Sequence, residues 1–252
     1  MVAARIIACL DVKDGRVVKG TQFVSLRDQG DPVELAAHYD REGIDELVFL
    51  DISATNEQRK ARQNWVRQVA EQLTIPFTVG GGVSDPADVR ALLRAGADKV
   101  AINSAAVKRP ELLSECAELF GAQCVVCSID AKLTPHGYRV YTHGGRTPTD
   151  LDVEQWASRA IELGAGELLV TSIDRDGTKS GFDDVLLQRL SKLSVPVIAS
   201  GGAGTMAHFD SALAAGASAV LAASLFHERE LSVGDLKHFL HAQGHRMRIT
   251  AP

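Results

Sequence analysis

The feature that most constrains this chain is an internal repeat with an offset of about 120 residues. An apolar run over residues 5–10 ends at Asp11, and a second run over residues 124–129 ends at Asp130, 119 positions later. Other segments recur at nearly the same offset: 46–50 with 167–171, 78–82 with 199–202, and 102–104 with 222–224. A constant offset over several segments indicates two copies of one structural unit.

Short apolar runs alternate with amphipathic helical patterns along the whole chain. The runs are rich in Val, Ile and Leu and nearly continuous, which is typical of parallel strands covered on both faces. They span residues 5–10, 46–51, 75–79, 98–102, 124–129, 167–171, 196–200 and 218–222. Eight such units in a chain of this length predict an α/β fold, a (β/α)8 TIM barrel with a two-fold (β/α)4 half-barrel repeat. A doubly wound sheet is the alternative, but it does not require four units in each half.

The domain organisation follows from the same pattern. We expect one barrel domain over residues 1–252, with half-barrels at about 1–120 and 121–245, because no linker or low-complexity segment interrupts the units. Two long connections, 12–31 and 131–150, contain turn signals and are predicted as loops after the first and fifth barrel strands. Loops in that position lie at the catalytic face of a barrel, where they can act as lids.

Composition excludes several classes of function. A net charge of −5 without a basic stripe argues against nucleic-acid binding. No apolar run reaches the roughly 18 residues of a membrane span, and Arg5 interrupts the first apolar segment, so neither a membrane anchor nor a secretion signal is expected. Cys124 and Cys127 form a C-x-x-C, but alternation along a strand would point them to opposite faces. We expect reduced core thiols in a cytoplasmic protein, with no metal and no cofactor.

Period-two alternation along the predicted strands sorts the polar residues into two layers. The first layer lies at the carboxyl ends of the strands, where barrel enzymes keep their active sites. Its members are Asp11, Asn103, Asp130, Thr171 and Ser200. A lone Asp at a strand end is as often a cap or turn former. Two at matching repeat positions favour a catalytic pair that divides acid and base roles.

The second polar layer lies at the opposite mouth of the predicted barrel. It contains two basic and two acidic residues, Arg5, Glu46, Lys99 and Glu167. The simpler interpretation is that these charges neutralise one another and close the core. Because buried ion pairs are weak evidence of stabilisation, a gate or interface role is retained as an alternative.

Two glycine turns, at residues 80–82 and 201–202, are candidate phosphate sites. Backbone amides in such a turn, together with a helix N-terminus, bind phosphate, and the loops after strands 7 and 8 commonly do so in this fold. The glycines could instead only permit tight turns. Each turn is followed by a serine after the next strand, Ser104 and Ser224, so the pattern favours two phosphates on a long bisphosphate substrate.

Four segments carry a resemblance to a known family: residues 5–20, 45–52, 96–100 and 171–178. Together with the rest of the chain from residue 5 to about residue 241, these segments resemble the cyclase subunits of imidazole glycerol phosphate synthase from histidine biosynthesis. The resemblance implies that ammonia and the bisphosphate PRFAR are converted to imidazole glycerol phosphate and AICAR. It also implies a heterodimer in which a glutaminase subunit supplies the ammonia.

The resemblance further implies roles for individual residues. Asp11 would be the main acid and base for imine formation at the ketone, and Asp130 would assist cyclisation and cleavage. Residues of the second polar layer, Arg5, Glu46, Lys99 and Glu167, would form the ammonia gate, and Asp98 and Gln123 would contact the glutaminase. The implied substrate-binding residues are Lys19, Gly82, Asn103, Ser104, Thr171, Asp176, Gly177, Gly202, Ala223 and Ser224.

Two other functions stay open at this point. The sibling ProFAR isomerase of the same pathway also uses two aspartates on a two-fold repeated barrel. The gate residues and residues 14–20 favour the cyclase. A barrel that serves as a non-catalytic or engineered scaffold is the third possibility, and the intact aspartates and glycine turns argue against it.

Overall fold

The computed structural model describes residues 2–21, 24–52, 59–227 and 230–249, without the side chains of 19–21, 24–27 and 59–61. All eight predicted barrel strands are present, and each begins within two residues of its predicted start. The strands are β1 (Arg5–Lys13), β2 (Arg16–Thr21), β3 (Val24–Gly30), β4 (Glu46–Asp51), β5 (Phe77–Gly80), β6 (Lys99–Ile102), β7 (Val125–Thr134), β8 (Gly137–Thr142), β9 (Thr147–Asp152), β10 (Glu167–Ser172), β11 (Val197–Ser200) and β12 (Ala219–Ala222).

Eight of these strands form a closed hydrogen-bonded ring. The order is β1–β4–β5–β6–β7–β10–β11–β12, and β12 pairs again with β1. The register is parallel where β1 meets β4, β4 meets β5, β7 meets β10 and β10 meets β11. With helices in the connections, this is the predicted (β/α)8 barrel.

The helices begin and end at the signals that the sequence carries. Asp31 caps the first helix by accepting hydrogen bonds from the backbone of Val33 and Glu34, with Pro32 in the first turn. Gly43 and Gly96 follow helices with φ of 78° and 113°, the left-handed conformation that ends a helix. The helices are α1 (Pro32–Arg41), α2 (Arg59–Ala70), α3 (Pro86–Ala95), α4 (Ser104–Lys108), α5 (Glu111–Phe120), α6 (Val153–Glu162), α7 (Asp184–Leu190), α8 (Met206–Ala214), α9 (Ser224–His227) and α10 (Val233–Ala242).

The two long connections are not the loops that were predicted. β1 continues into an antiparallel hairpin with β2, to which β3 adds, and β7 continues in the same way into β8 and β9. Asp14 and Gly15, with φ of 51° and 76°, form the first two-residue turn. Tyr138 and Val140 are buried at alternate positions of β8, and this period-two burial stabilises strands rather than loops.

The chain packs as two compact units. One contains Met1–Val83, Ala87–Val100 and Leu221–Pro252, and the other contains Ser84–Pro86 and Ala101–Val220. In the first unit, Phe49 packs against Trp65 and edge-on against Phe77, with ring centroids 5.5 and 5.0 Å apart. The second unit has an edge-to-face pair of its own at 5.6 Å, Phe182 with Phe209. We call them the β1 unit and the β7 unit.

The segment after α10 lies beyond the resemblance, and the structure shows how it is held in the β1 unit. Ala4 forms a parallel bridge with Met247. The buried ammonium of Lys237 donates to Asp45 Oδ1 at 2.5 Å and to the carbonyl of Arg248 at 3.2 Å. Arg248 Nε donates to the same Asp45 oxygen at 2.8 Å. These contacts fix the final described residues beside the start of β4.

Among the described residues, no helix has the length and apolar character needed to cross a membrane.

Candidate functional site

Asp130 lies where β7 leaves the barrel ring and enters its hairpin. It is in register with Thr171 on β10 and with Tyr141 on β8. Asn103, the residue just before α4, donates a hydrogen bond from Nδ2 to Asp130 Oδ2 at 3.1 Å. The β7 unit therefore brings Asn103, Asp130 and Thr171 together at one end of the strands, as the alternation predicted.

Burial raises the pKa of Asp130 from 3.8 to about 6. Hydrogen bonds from Asn103 and the Gly145 backbone lower it, whereas the charge of Asp176 raises it. Burial also raises the pKa of Asp176, against a hydrogen bond from the Gly177 backbone. A carboxyl group with a pKa near 6 exchanges its proton close to neutral pH, which suits general acid–base chemistry.

The raised pKa makes a prediction about stability. Asp130 has a pKa of 3.8 in the unfolded chain and about 6 in the folded one, so the unfolded chain loses this proton first as the pH rises. The free energy of unfolding therefore falls between these two values and stays lowered above pH 6. We expect Asp130→Asn to stabilise the fold at pH 8 by up to about 3 kcal/mol, and to have little effect below pH 4. Thermal melts from pH 4 to pH 8 measure this difference. Asp150→Asn, a change at an exposed carboxylate, is the matched control, and an equal effect of both changes would contradict the assignment.

Asp11 occupies the equivalent local position in the β1 unit. It lies where β1 enters its own hairpin, in register with Leu50 on β4 and with Val18 on β2. Lys19 follows Val18 in β2, and its side chain lies outside the described part of the structure. The repeated aspartates thus share one backbone context, each flanked by a parallel strand and a hairpin strand.

The second polar layer is built around Glu46. Its carboxylate is fully buried and accepts hydrogen bonds from Arg5 at 2.6 Å and from Lys99 at 3.0 Å. Thr78, buried on β5, donates to Glu46 Oε1 at 2.8 Å. Three of the four predicted gate residues therefore meet in the β1 unit, and the fourth, Glu167, is a buried side chain at the start of β10 in the β7 unit.

The two predicted partner contacts are both exposed. Asp98 precedes β6, and its carboxylate accepts a hydrogen bond from the backbone of Phe77 at 2.8 Å. Gln123 lies in a short 3-10 turn, Ala122–Cys124, before β7. Cys124 belongs to this turn instead of the predicted strand, and the C-x-x-C cysteines are both free.

The glycine turns have a steric reason to be glycine. Gly81 has φ of 89°, and a Cβ there would lie 2.0 Å from the carbonyl oxygen of Asp51. Gly202 has φ of 105°, and a Cβ there would lie 2.1 Å from the carbonyl oxygen of Gly181. Both turns therefore lie directly against a neighbouring backbone segment, which accounts for the glycines with or without a ligand.

Both serines predicted to bind phosphate begin short helices. Ser104 begins α4 after β6, and Ser224 begins α9 after β12, with Ala223 just before it. Ser104 Oγ accepts a hydrogen bond from the backbone of His143 at 2.9 Å. The Oδ1 atom of Asn103 is buried and has no partner among the described residues.

Several contacts of the site were not predicted from the sequence. Thr78 completes the set of donors around Glu46, and Gly145 donates its backbone N–H to Asp130. Arg62 on α2 donates to the carbonyl of Gly81. Alternation could have identified Thr78, which is in register with Val48 on β4, whereas the other two contacts come from separate segments that only the fold brings near.

The sequence of this chain matches a known protein family. Residues 5–232 match the family described as Histidine biosynthesis protein. The match covers most of the chain, which therefore belongs to this family of biosynthetic proteins.

Curated relatives narrow the class further. The chain is 60% identical over 252 residues to the imidazole glycerol phosphate synthase subunit HisF of Anoxybacillus flavithermus, covering 98% of this chain and all of the relative. The subunits of the same name from Geobacillus thermodenitrificans and Mycobacteroides abscessus are 58% and 56% identical, again over 98% of this chain. The chain belongs to the family of imidazole glycerol phosphate synthase subunit HisF.

Proposed function

We propose that this chain is the cyclase of an imidazole glycerol phosphate synthase. It uses ammonia to convert PRFAR to imidazole glycerol phosphate and AICAR in histidine biosynthesis. The observation that carries the proposal is the repeated aspartate pair, Asp11 and Asp130, in one backbone context on equivalent strands. The relatives at 56–60% identity, all named as this synthase subunit, support it.

The chemistry needs proton transfer at two stages. Ammonia adds to the ketone of PRFAR, and water must leave before the imine forms. Asp11 acts as the acid and base in this step. Cyclisation then expels AICAR, whose departing nitrogen takes up a proton. Asp130 supplies proton exchange there, because burial raises its pKa to about 6 and its protonated form is populated near neutral pH.

The two ends of the substrate carry phosphates, and the glycine turns are their proposed sites. Gly82, Asn103 and Ser104 bind one phosphate, and Gly177, Gly202, Ala223 and Ser224 bind the other. Backbone amides at the start of a short helix after a barrel strand support this use. Lys19, Thr171 and Asp176 contact the bound substrate.

The word subunit in the relatives' name supports a complex with a second protein. We propose that this partner is a glutaminase that forms a heterodimer and contacts Asp98 and Gln123. Ammonia enters through Arg5, Glu46, Lys99 and Glu167. A cytoplasmic location is proposed as well, because all four cysteines are free.

Two incubations separate the cyclase from the sibling isomerase. The purified chain is given either PRFAR with an ammonium salt or ProFAR alone, and the products are resolved by chromatography. We expect imidazole glycerol phosphate and AICAR in equal amounts from the first mixture and no conversion of ProFAR in the second. Conversion of ProFAR without ammonia would assign the chain to the isomerase, and binding of neither substrate would favour a scaffold.

A further inference from the structure

A buried arginine contacts the first glycine turn from behind. Arg62 on α2 is only 5% exposed. Guanidinium groups are almost never buried to this extent unless they have partners. Its NH1 atom donates to the carbonyl oxygen of Gly81 at 2.5 Å and lies 3.9 Å from Asp51 Oδ2. The guanidinium of Arg62 therefore points at the turn between β5 and α3.

The geometry of the peptide group transmits this contact to Gly82. The carbonyl of Gly81 and the N–H of Gly82 belong to one planar trans peptide group, in which the two bonds point in opposite directions. When Arg62 holds the carbonyl on one side, the Gly82 N–H is directed to the other. A hydrogen bond to the carbonyl also polarises the peptide group and strengthens its N–H as a donor.

The backbone of the turn is held in this orientation by its own packing as well. Gly81 and Gly82 both have positive φ, 89° and 59°, and the Gly81 Cα lies close against the backbone of Asp51. Gly82 itself is exposed. The turn therefore has a packed side, which faces Asp51 and Arg62, and an open side, where an anion could approach the Gly82 amide.

We propose that Arg62 is a positioning residue of the first phosphate site, which fixes the direction of the Gly82 N–H through the Gly81 carbonyl. This inference rests on the proposed function. It predicts a role at one end of the substrate, because the described contact of Arg62 is with the first glycine turn. Arg62→Met is therefore expected to affect binding at that end without changing the chemistry at the aspartates.

The test uses the two products, each of which carries one of the substrate's phosphates. Inhibition constants of imidazole glycerol phosphate and of AICAR are measured against PRFAR for wild type, Arg62→Met and Arg62→Lys. We expect Arg62→Met to raise the inhibition constant of one product and the KM for PRFAR about tenfold, the scale of one charge-assisted hydrogen bond. The kcat and the other product's constant should stay within about twofold.

Matched variants keep the result interpretable. Arg67→Met makes the same change at an exposed position of the same helix and should alter neither constant. Arg62→Lys retains the charge beside Asp51 and should give a smaller shift for the same product, so it decides the matter if Arg62→Met does not fold. Equal shifts for both products, or no shift in a folded variant, would overturn the inference. Absence of PRFAR turnover in wild type would instead refute the proposed function.

Discussion

Replacing Asp11 with Asn is expected to lower kcat for PRFAR and ammonium by about 100-fold to 10,000-fold. That range is the usual contribution of one positioned acid or base. Asn keeps the shape of the side chain but cannot exchange a proton, so the proposed imine formation at the ketone would lose its acid and base. The pairing of Asp11 with Leu50 and Val18 is made by the backbone, and the fold should therefore survive the change.

Binding and stability measurements complete this prediction. Titration calorimetry with PRFAR should give a Kd within a few-fold of wild type, and the melting temperature should change little. Asp150→Asn, which changes an exposed acid, should leave turnover unchanged. Near-normal turnover by Asp11→Asn would show that this aspartate is not the acid and base of the reaction.

Replacing Glu46 with Ala is expected to be the most destabilising single change in the second polar layer. The Glu46 carboxylate is fully buried and is shared by Arg5, Lys99 and Thr78. Removing one partner of a buried ion pair costs about 3–5 kcal/mol. Because Lys99 and Arg5 are partly exposed, we expect about 3 kcal/mol, or a fall of roughly 6–12 °C in Tm.

The controls for Glu46 separate structure from ammonia transfer. Glu71→Ala removes an exposed acid from the same unit and should leave Tm within about a degree. Glu46→Gln keeps the size of the side chain and tests the charge. If these residues form the ammonia gate, Glu46→Gln should change activity with glutamine and glutaminase more than activity with ammonium. An unchanged Tm for Glu46→Ala would contradict the central place of this carboxylate.

The fold was predictable because its signals are local and repeated. Nearly continuous apolar runs of strand length, separated by helices with glycine stops, gave every barrel strand. The hairpins were missed because their turn signals, such as Asp14-Gly15, were interpreted as loops. The alternation of Tyr138 and Val140 with other residues along 137–142 was the sequence signal that could have corrected this, and both side chains are buried in β8.

The site was predictable to the extent that it depends on strand periodicity. Alternation placed Asn103 with Asp130, and Arg5 with Glu46 and Lys99, and the structure brings these side chains together. The contact of Arg62 with Gly81 depends on how α2 packs after β4, which no spacing in the chain encodes. The pKa of Asp130 likewise depends on its burial and on Asp176, forty-six positions away in the sequence.

The most direct test of the central claim is the rate of product formation from PRFAR and an ammonium salt by the purified chain alone. We predict equal amounts of imidazole glycerol phosphate and AICAR, at a rate that rises with the concentration of free ammonia. Glutamine should not replace ammonium unless a glutaminase subunit is added. Failure to form either product at saturating ammonia, with a folded chain that binds PRFAR, would contradict the account.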